Sequence, residues 1–383
     1  MLPATTDVLV IGAGPVGLVT GIVLTQLGHE VTVVDDEPDG AHTSRAAVVH
    51  ARTMEVLQPY GLTERLRARG VHVPQFSIRD RDRVLVRVPF DGLPTPFPYT
   101  LMVSQADTEQ FLGERLAELG GKVLRPLSFT ALEQDDAGVT ATFSDGQRVR
   151  AAYLVGADGM HSAVREASGI AFAGSAYEES FSLADVHLSG GVPLDEVILY
   201  FSPEGMVVVA PLPDGVHRIV ATVDEAPERP DVAFVQQLLG ARGPQALPAV
   251  VEDVVWGSRF HVHHRIARSF RDRRVLLAGD AAHVHSPAGG QGMNLGIEDA
   301  VQLGEALSCV LRGESPRLLD TYAATRRPAA ERVVALADRL TRLATVGASR
   351  RPMRNLLLGT LGRLPAFQHR LAWRLAGLDR RTA

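Results

Sequence analysis

The sequence predicts an α/β protein, in which a parallel sheet covered by helices carries an inserted, mostly antiparallel sheet and is followed by helices at the end of the chain. Three observations lead there. Asp7–Ile11, Pro15–Leu27 and Val31–Asp35 read in succession as a buried strand, a helix and a second buried strand. From Tyr177 to His264 strand-like runs dominate, with turn signals such as Pro213-Asp-Gly215. After Arg274 the pattern returns to a short apolar strand, Val275–Ala278, then a glycine-rich loop and long helices.

The stretches between these landmarks fill in the order. Residues 45–69 are helix-rich, residues 72–98 alternate in short strand-like runs broken by Asp, Gly and Pro, and Ala106–Leu119 is helical in pattern. Val139–Phe143, a Ser-Asp-Gly turn and Arg148–Val155 read as a meander. The expected division is a discontinuous nucleotide domain (1–71, 99–175 and 270–345), a sheet domain (72–98 and 176–269) and a C-terminal helical segment (346–383). At 383 residues the chain is long enough for two such cores.

Composition narrows the function classes. With 45% apolar and 22% charged residues, the balance is that of a globular protein. A net charge of −5 gives no electrostatic reason to expect nucleic acid as a partner. Cys309 is the sole cysteine, which excludes an intramolecular disulfide and suits a reducing compartment. The apolar run Val8–Leu27 has no cationic region before it and is interrupted by Gly12, Gly14, Pro15 and Gly17, so it reads neither as a signal peptide nor as a membrane span. The cytoplasm is the expected location.

Two motifs carry chemistry. Gly12-Ala-Gly14-Pro15-Val-Gly17 lies between the first strand and first helix, with Asp35 ending the next strand. Gly12 allows the tight turn, Gly14 lets backbone approach a pyrophosphate, Gly17 allows close helix packing, and Asp35 can accept from ribose hydroxyls. This fingerprint alone does not separate FAD from NAD. The second motif, Val275-Leu-Leu-Ala-Gly279-Asp280-Ala-Ala-His283, runs on through Ser286-Pro287-Ala-Gly289-Gly290-Gln-Gly292-Met293-Asn294-Leu-Gly296. A strand delivers Asp280 to the sheet edge, where a carboxylate can hold a ribityl hydroxyl. The loop then exposes backbone N–H groups at a helix start, which suits the anionic edge of a reduced flavin.

With these motifs in order, the sequence resembles the flavoprotein aromatic hydroxylases, the class A monooxygenases similar to p-hydroxybenzoate hydroxylase. Gly279 through Gly296 looks like that family's second FAD motif, and Tyr153-Leu-Val-Gly-Ala-Asp158-Gly-Met-His-Ser162-Ala-Val-Arg165 looks like its third, assigned to FAD and NAD(P)H handling. Ser44-Arg45 and Gln105 sit where the family places a flavin-phosphate arginine and a ribityl-facing glutamine. The resemblance spans roughly residues 5–345. It implies FAD held by Gly12, Gly14, Pro15, Gly17, Asp35, Arg45, Gln105, Asp158, Asp280, Pro287, Gly290, Gly292, Met293 and Asn294, with Pro287, Gly289 and Gly290 packing on the reactive edge of the ring. It also implies the cycle: NADPH or NADH reduces FAD, O2 adds at C4a, and the flavin hydroperoxide transfers oxygen to a phenolic, aromatic or polycyclic small molecule.

Read from the residues alone, Arg45 is either a bidentate phosphate partner or a solvated arginine, and Asp158 is either a ligand or a helix cap. Asp35 departs from the Glu found in many family members, and some members continue into a thioredoxin-like third domain. His261 and His263 share a strand face without a third ligand nearby in sequence, so no metal is expected. No catalytic base stands out, and His217, Tyr200 and His72 are only guesses from the inserted sheet. Isolated Trp256 and Trp373, with Lys122 in the meander, speak against a flavin-dependent halogenase. An FAD-dependent reductase or dehydrogenase on the same fold, or a catalytically silent flavin-bearing binding protein, stays open. The segment from Arg350 onward carries eight arginines against one acid, Asp379, among leucines. Such a helix can dock on its own domain, join a homodimer or lie on a membrane, and docking is the favoured expectation over membrane binding.

Overall fold

The computed structural model describes residues 2–40, 46–344 and 346–381. Its first sheet is built around five parallel strands in the order Val275–Leu277, Arg148–Gly156, Thr5–Ile11, Val31–Val34 and Val123–Leu124. Parallel strands covered on both faces want continuous apolar side chains, and Val8, Leu9, Val10, Leu154, Val155, Val275, Leu276 and Leu277 are all fully buried. Register decides the rest. Leu277, Gly156, Ile11, Val34 and Leu124 lie level across the sheet. The residues that follow them therefore emerge along one carboxyl edge, where open α/β sheets bind ligands. The predicted meander extends this sheet through Phe129–Gln134 and Val139–Phe143.

The first helix, Pro15–Gln26, has no amphipathic stripe because it is buried nearly all round. It lies between the sheet and helix Gly292–Leu311, and a Cβ at Gly304 would stand 2.6 Å from the Val23 side chain. Glycine there lets the two helices approach closely.

The second sheet has eight strands, ordered His283–Val284, Ala249–Ala267, Phe172–Gly190, Val216–Val223, Gly205–Pro211, Glu196–Ser202, Gln75–Asp80 and Arg83–Pro89. All pairings are antiparallel except Glu196–Ser202 with Gln75–Asp80, which joins the two separated pieces of chain. Two boundaries differ from the sequence expectation. Strand Phe172–Gly190 begins before residue 176, and Val71–Val73 pairs with Thr100–Met102 in a small sheet that also holds Val48–Val49. Short apolar runs do not name their partners, so sequence pattern could not settle either point. Between strands Val216–Val223 and Ala249–Ala267 lies helix Val232–Arg242, and the Asp231 carboxylate caps it by accepting from Phe234 N at 2.8 Å.

The C-terminal segment docks. Arg354 and Arg380 are buried, and the Arg380 guanidinium forks onto the buried Glu298 carboxylate at 2.7–3.1 Å. Among the described residues no helix is long and apolar enough to cross a membrane.

Candidate active site

The carboxyl edge of the parallel sheet gathers the sequence motifs. Gly12 follows Ile11 with φ +99°, and a Cβ there would press on the Ala157 backbone. A Cβ on Gly17 would collide with the Gly12 carbonyl oxygen, so the helix can start this close to the strand only with glycine at that position. Gly14 differs. A Cβ built on it meets nothing within 4 Å, because it borders open space at the helix N-terminus. That is the cradle a pyrophosphate needs.

Asp35 does more than the sequence suggests. Its carboxylate accepts from Ala13 N at 2.5 Å and from Glu37 N at 3.0 Å, tying the glycine turn to the end of the neighbouring strand. With four lone-pair sites, the carboxylate retains capacity for a ribose hydroxyl. Arg125, which follows the fifth parallel strand, donates to the Ala13 carbonyl at 3.4 Å. No sequence motif marks it. Arg45 lies outside the described residues.

The second motif interlocks with the first. Gly279 has φ +61°, and a Cβ on either Gly279 or Gly296 would come within 2.7 Å of the Val16 side chain. The two glycine motifs thus meet around one valine at the start of the first helix. Gly290, with φ +62°, sits where a Cβ would be 2.8 Å from Val48 Cβ.

Beneath this loop lies a buried polar framework. Asn294 is fully buried; its Oδ1 accepts from His50 N at 2.8 Å, and its Nδ2 donates to the Val48 and Gly290 carbonyls at 2.8 and 2.7 Å. The Gly290 bond pins the loop directly. The Asn294 side chain therefore supports the cavity wall from behind. His50 joins through Nε2 to the Gly289 carbonyl at 2.9 Å and to Gln291 Nε2 at 3.1 Å. Burial pushes its pKa down to about 4, so it is neutral near pH 7. Gln291 in turn donates to the Leu375 carbonyl at 3.0 Å and accepts from Arg380 at 3.2 Å.

Asp299 links the other end of the motif. It receives His283 Nε2 at 2.6 Å, Arg326 Nε at 2.5 Å and Gly279 N at 3.3 Å. Burial alone would raise its carboxyl, but Arg326 and His283 beside it hold it below the ordinary aspartate value. This places His283 in the framework of the loop, paired and fully enclosed.

The third motif is a cap with a brace. Asp158 accepts from Ser162 Oγ at 2.6 Å and from Val164 N at 3.0 Å, at the start of helix Ala163–Ala167. Burial raises its carboxyl against those hydrogen bonds. Arg165 is buried, stacks 4.0 Å from the Phe172 ring centroid and donates to the Ala281 carbonyl at 3.1 Å, bracing the turn that carries Asp280.

A single cavity of about 430 Å³ runs through this arrangement. Gly14, Pro15, Gln105, Asp280, Pro287, Gly289, Gly290, Gly292 and Met293 border one side, and the second sheet supplies the other through Phe76, Leu183, Val197, Leu199, Met206 and Phe260. The N-termini of helices Pro15–Gln26 and Gly292–Leu311 both open onto it. An open glycine cradle, two helix N-termini, an acid at the strand edge and an apolar wall opposite fit an FAD extended along the groove. Gln105 reaches the cavity already tied to Ala46 N through its Oε1 at 3.0 Å and to Glu109 through its Nε2 at 2.8 Å.

The guessed bases do not meet the cavity. His217 and Tyr200 are buried inside the second sheet, and His72 stacks on Tyr99 at 4.3 Å. Glu109, Arg218, His263 and His285 border it instead, and no sequence motif marks any of them as lining it. Glu109 lies on helix Gln105–Glu118 and Arg218 and His263 on strands of the second sheet, and no local motif marks which of these side chains face inward. Among the described residues no cluster of three His, Cys, Asp or Glu side chains comes together for a metal.

Comparison with known proteins agrees with this geometry. The family model described as FAD binding domain matches residues 5–337. The chain is 40% identical over 337 residues to the 6-methylpretetramide 4-monooxygenase of Streptomyces rimosus, covering 86% of this chain and 60% of that protein. It is 37% identical over 344 residues to a rifampicin monooxygenase of Streptomyces venezuelae, covering 86% of this chain and 69% of that one. Among solved structures, the p-nitrophenol 4-monooxygenase of Pseudomonas putida superposes with a TM-score of 0.87 at 26% identity, covering 99% of this chain and 98% of the other. With residues 5–337 matched, a span that takes in both sheets and all three motifs, the chain belongs to the FAD binding domain family.

Proposed function

We propose that this chain is a monooxygenase that holds FAD without a covalent link, draws electrons from NADPH or NADH, and uses O2 to hydroxylate a phenolic, aromatic or polycyclic small molecule. The observation that carries this reading is the shared cavity, in which the ring loop Pro287–Met293 and the apolar wall of the second sheet face one space. In this reading the parallel sheet with its helices serves the cofactor, and the second sheet serves the substrate. Relatives named for 6-methylpretetramide, rifampicin and pentachlorophenol act on ring systems of this class.

When bound, FAD supplies the electron transfer and oxygen activation. The chain's own part is positional. Gly14 and the first helix N-terminus stabilise the pyrophosphate, while Asp35 and, in the family pattern, Arg45 hold the adenosine and phosphate ends. Asp280 and Gln105 orient the ribityl chain. Backbone N–H groups at Gly292 and Met293, at a helix start bordering the cavity, would stabilise negative charge on the flavin. Pro287, Gly289 and Gly290 shape the reacting edge, and the second sheet excludes water above it. No side-chain acid or base is assigned.

The test is reconstitution with FAD, then a screen of phenols and fused-ring ketones for substrate-dependent NAD(P)H consumption coupled to O2 uptake. A product heavier by one oxygen supports the proposal. Oxygen-independent reduction of the organic substrate would replace it with a reductase, and protein that takes up no FAD would overturn it altogether.

A further inference from the structure

Among the described residues the second sheet lines the cavity with apolar side chains, His263 and Arg218, and the charge of Arg218 is already matched. Arg218 and Asp185 are register partners on adjacent antiparallel strands. Arg218 Nε and Nη2 donate to the two Asp185 carboxylate oxygens, both at 2.7 Å, with side-chain exposures of 4% and 12%. Arg218 Nη1 donates to the Ala46 carbonyl at 2.9 Å, and Gln105 N donates to the same carbonyl at 3.0 Å. The guanidinium borders the cavity, yet its fork is occupied by a carboxylate of the chain itself.

Resting on the hydroxylase reading above, we infer that Asp185 cancels the charge Arg218 would otherwise offer a substrate anion, so that the cavity prefers an uncharged aromatic ring system to one carrying a carboxylate. A substrate carboxylate would have to leave water, and it holds its charge in an apolar pocket only against a matching cation. Arg218 does not supply that match, because the Asp185 carboxylate already offsets its charge and leaves the pair with no net charge. The other titratable side chains on the cavity, among the described residues, are Glu109, Asp280, His263 and His285. Two of them are acids and burial depresses the His285 pKa to about 4, which among the described residues leaves His263 as the one group there, besides Arg218, able to carry a positive charge. Asp185 thus acts as a built-in occupant of the position a substrate anion would otherwise take.

The test is titration of the FAD-loaded protein with a hydroxylated anthraquinone and with the same ring bearing a carboxylate, read by the change in the bound flavin's absorbance spectrum. The wild-type protein is expected to bind the neutral ring at least about tenfold more tightly, equivalent to about 1.4 kcal/mol. Asp185→Asn, which leaves the Arg218 charge unmatched, should narrow or reverse that ratio. The double replacement Asp185→Leu with Arg218→Met removes both charges without stranding either, so it should keep the neutral preference even if Asp185→Asn does not fold. Equal or tighter binding of the carboxylate by the wild type, or by the double variant, overturns the inference while leaving the hydroxylase reading in place. Protein that loads FAD but responds to neither ring overturns this inference, and the hydroxylase reading then stands or falls on its own substrate screen.

Discussion

The two glycine-rich loops that meet at Val16 are held in opposite ways. The loop at Gly12–Gly17 is made by its neighbours in sequence and by the adjacent strand ends: a tight turn, a close helix start, and Asp35 bonded to Ala13. The loop at Gly279–Gly296 is held from far away. His50, Arg326 and Arg380 reach it from distant parts of the chain and converge on Gly289, Asp299, Glu298 and Gln291. A phosphate cradle needs only backbone geometry, whereas a ring platform has to be rigid over a wider span, and a buried, mutually satisfied polar network supplies that rigidity.

Glu298→Gln should produce the largest effect, since it strands the buried Arg380 and weakens the match for Arg326. Loss of one partner in a buried pair costs about 3–5 kcal/mol, so the expected outcome is a large fall in Tm together with loss of bound FAD. If the contrast between the loops holds, the surviving folded protein still binds ADP, as isothermal titration would show.

Gly17→Val attacks the local loop. Its Cβ would collide with the Gly12 carbonyl, and overpacking of this kind costs about 1–3 kcal/mol. Here ADP and FAD affinity should fall together. An ADP affinity equal to wild type would mean the turn does not depend on that close approach.

Asn294→Ala removes three hydrogen bonds under the ring loop, with an expected loss of roughly 2 kcal/mol from unsatisfied buried groups. Flavin fluorescence should report a looser ring environment, while ADP binding stays at the wild-type level.

The pH dependence sharpens the comparison next. His50 has a folded pKa near 4, and an unfolded histidine titrates near about 6.5. Between these values the unfolded chain takes up a proton that the folded chain refuses. Its contribution to stability is therefore complete above pH 6.5 and declines as pH falls toward 4, by at most about 1.4 kcal/mol per unit. In His50→Gln, the slope of Tm against pH across that window should flatten, and an unchanged slope would contradict a buried neutral imidazole.

The smallest effect is expected from Asp35→Asn, which keeps one acceptor for Ala13 N but loses its charge. A few-fold weaker ADP affinity, within about 1 kcal/mol, is the predicted reading.

Much of the site was legible because its parts are short and local. The strand–turn–helix around Gly12, the acid at Asp280 and the loop from Pro287 each carry their chemistry in consecutive residues. Asn294 shows where that reading stops: it lies within a ligand-binding motif, yet its side chain is used up by Val48, Gly290 and His50. Arg218, His50 and Arg380 had no such signal. A lone arginine or histidine in an apolar run has the same sequence appearance whether it is solvated, capped by a neighbour, or buried against a partner more than two hundred residues away.

The amino-acid order alone determined the parallel nucleotide core, because apolar runs of strand length, glycines at fixed offsets and an acid after the second strand are constraints that act within a few residues. It also determined that a second, mostly antiparallel sheet interrupts that core. Only tertiary structure decided which strands lie level at the carboxyl edge, which of the charged side chains face the cavity, and that the arginine-rich end of the chain docks beneath the ring loop. Those outcomes depend on pairings between distant segments, where register and burial, not local propensity, set the free energy.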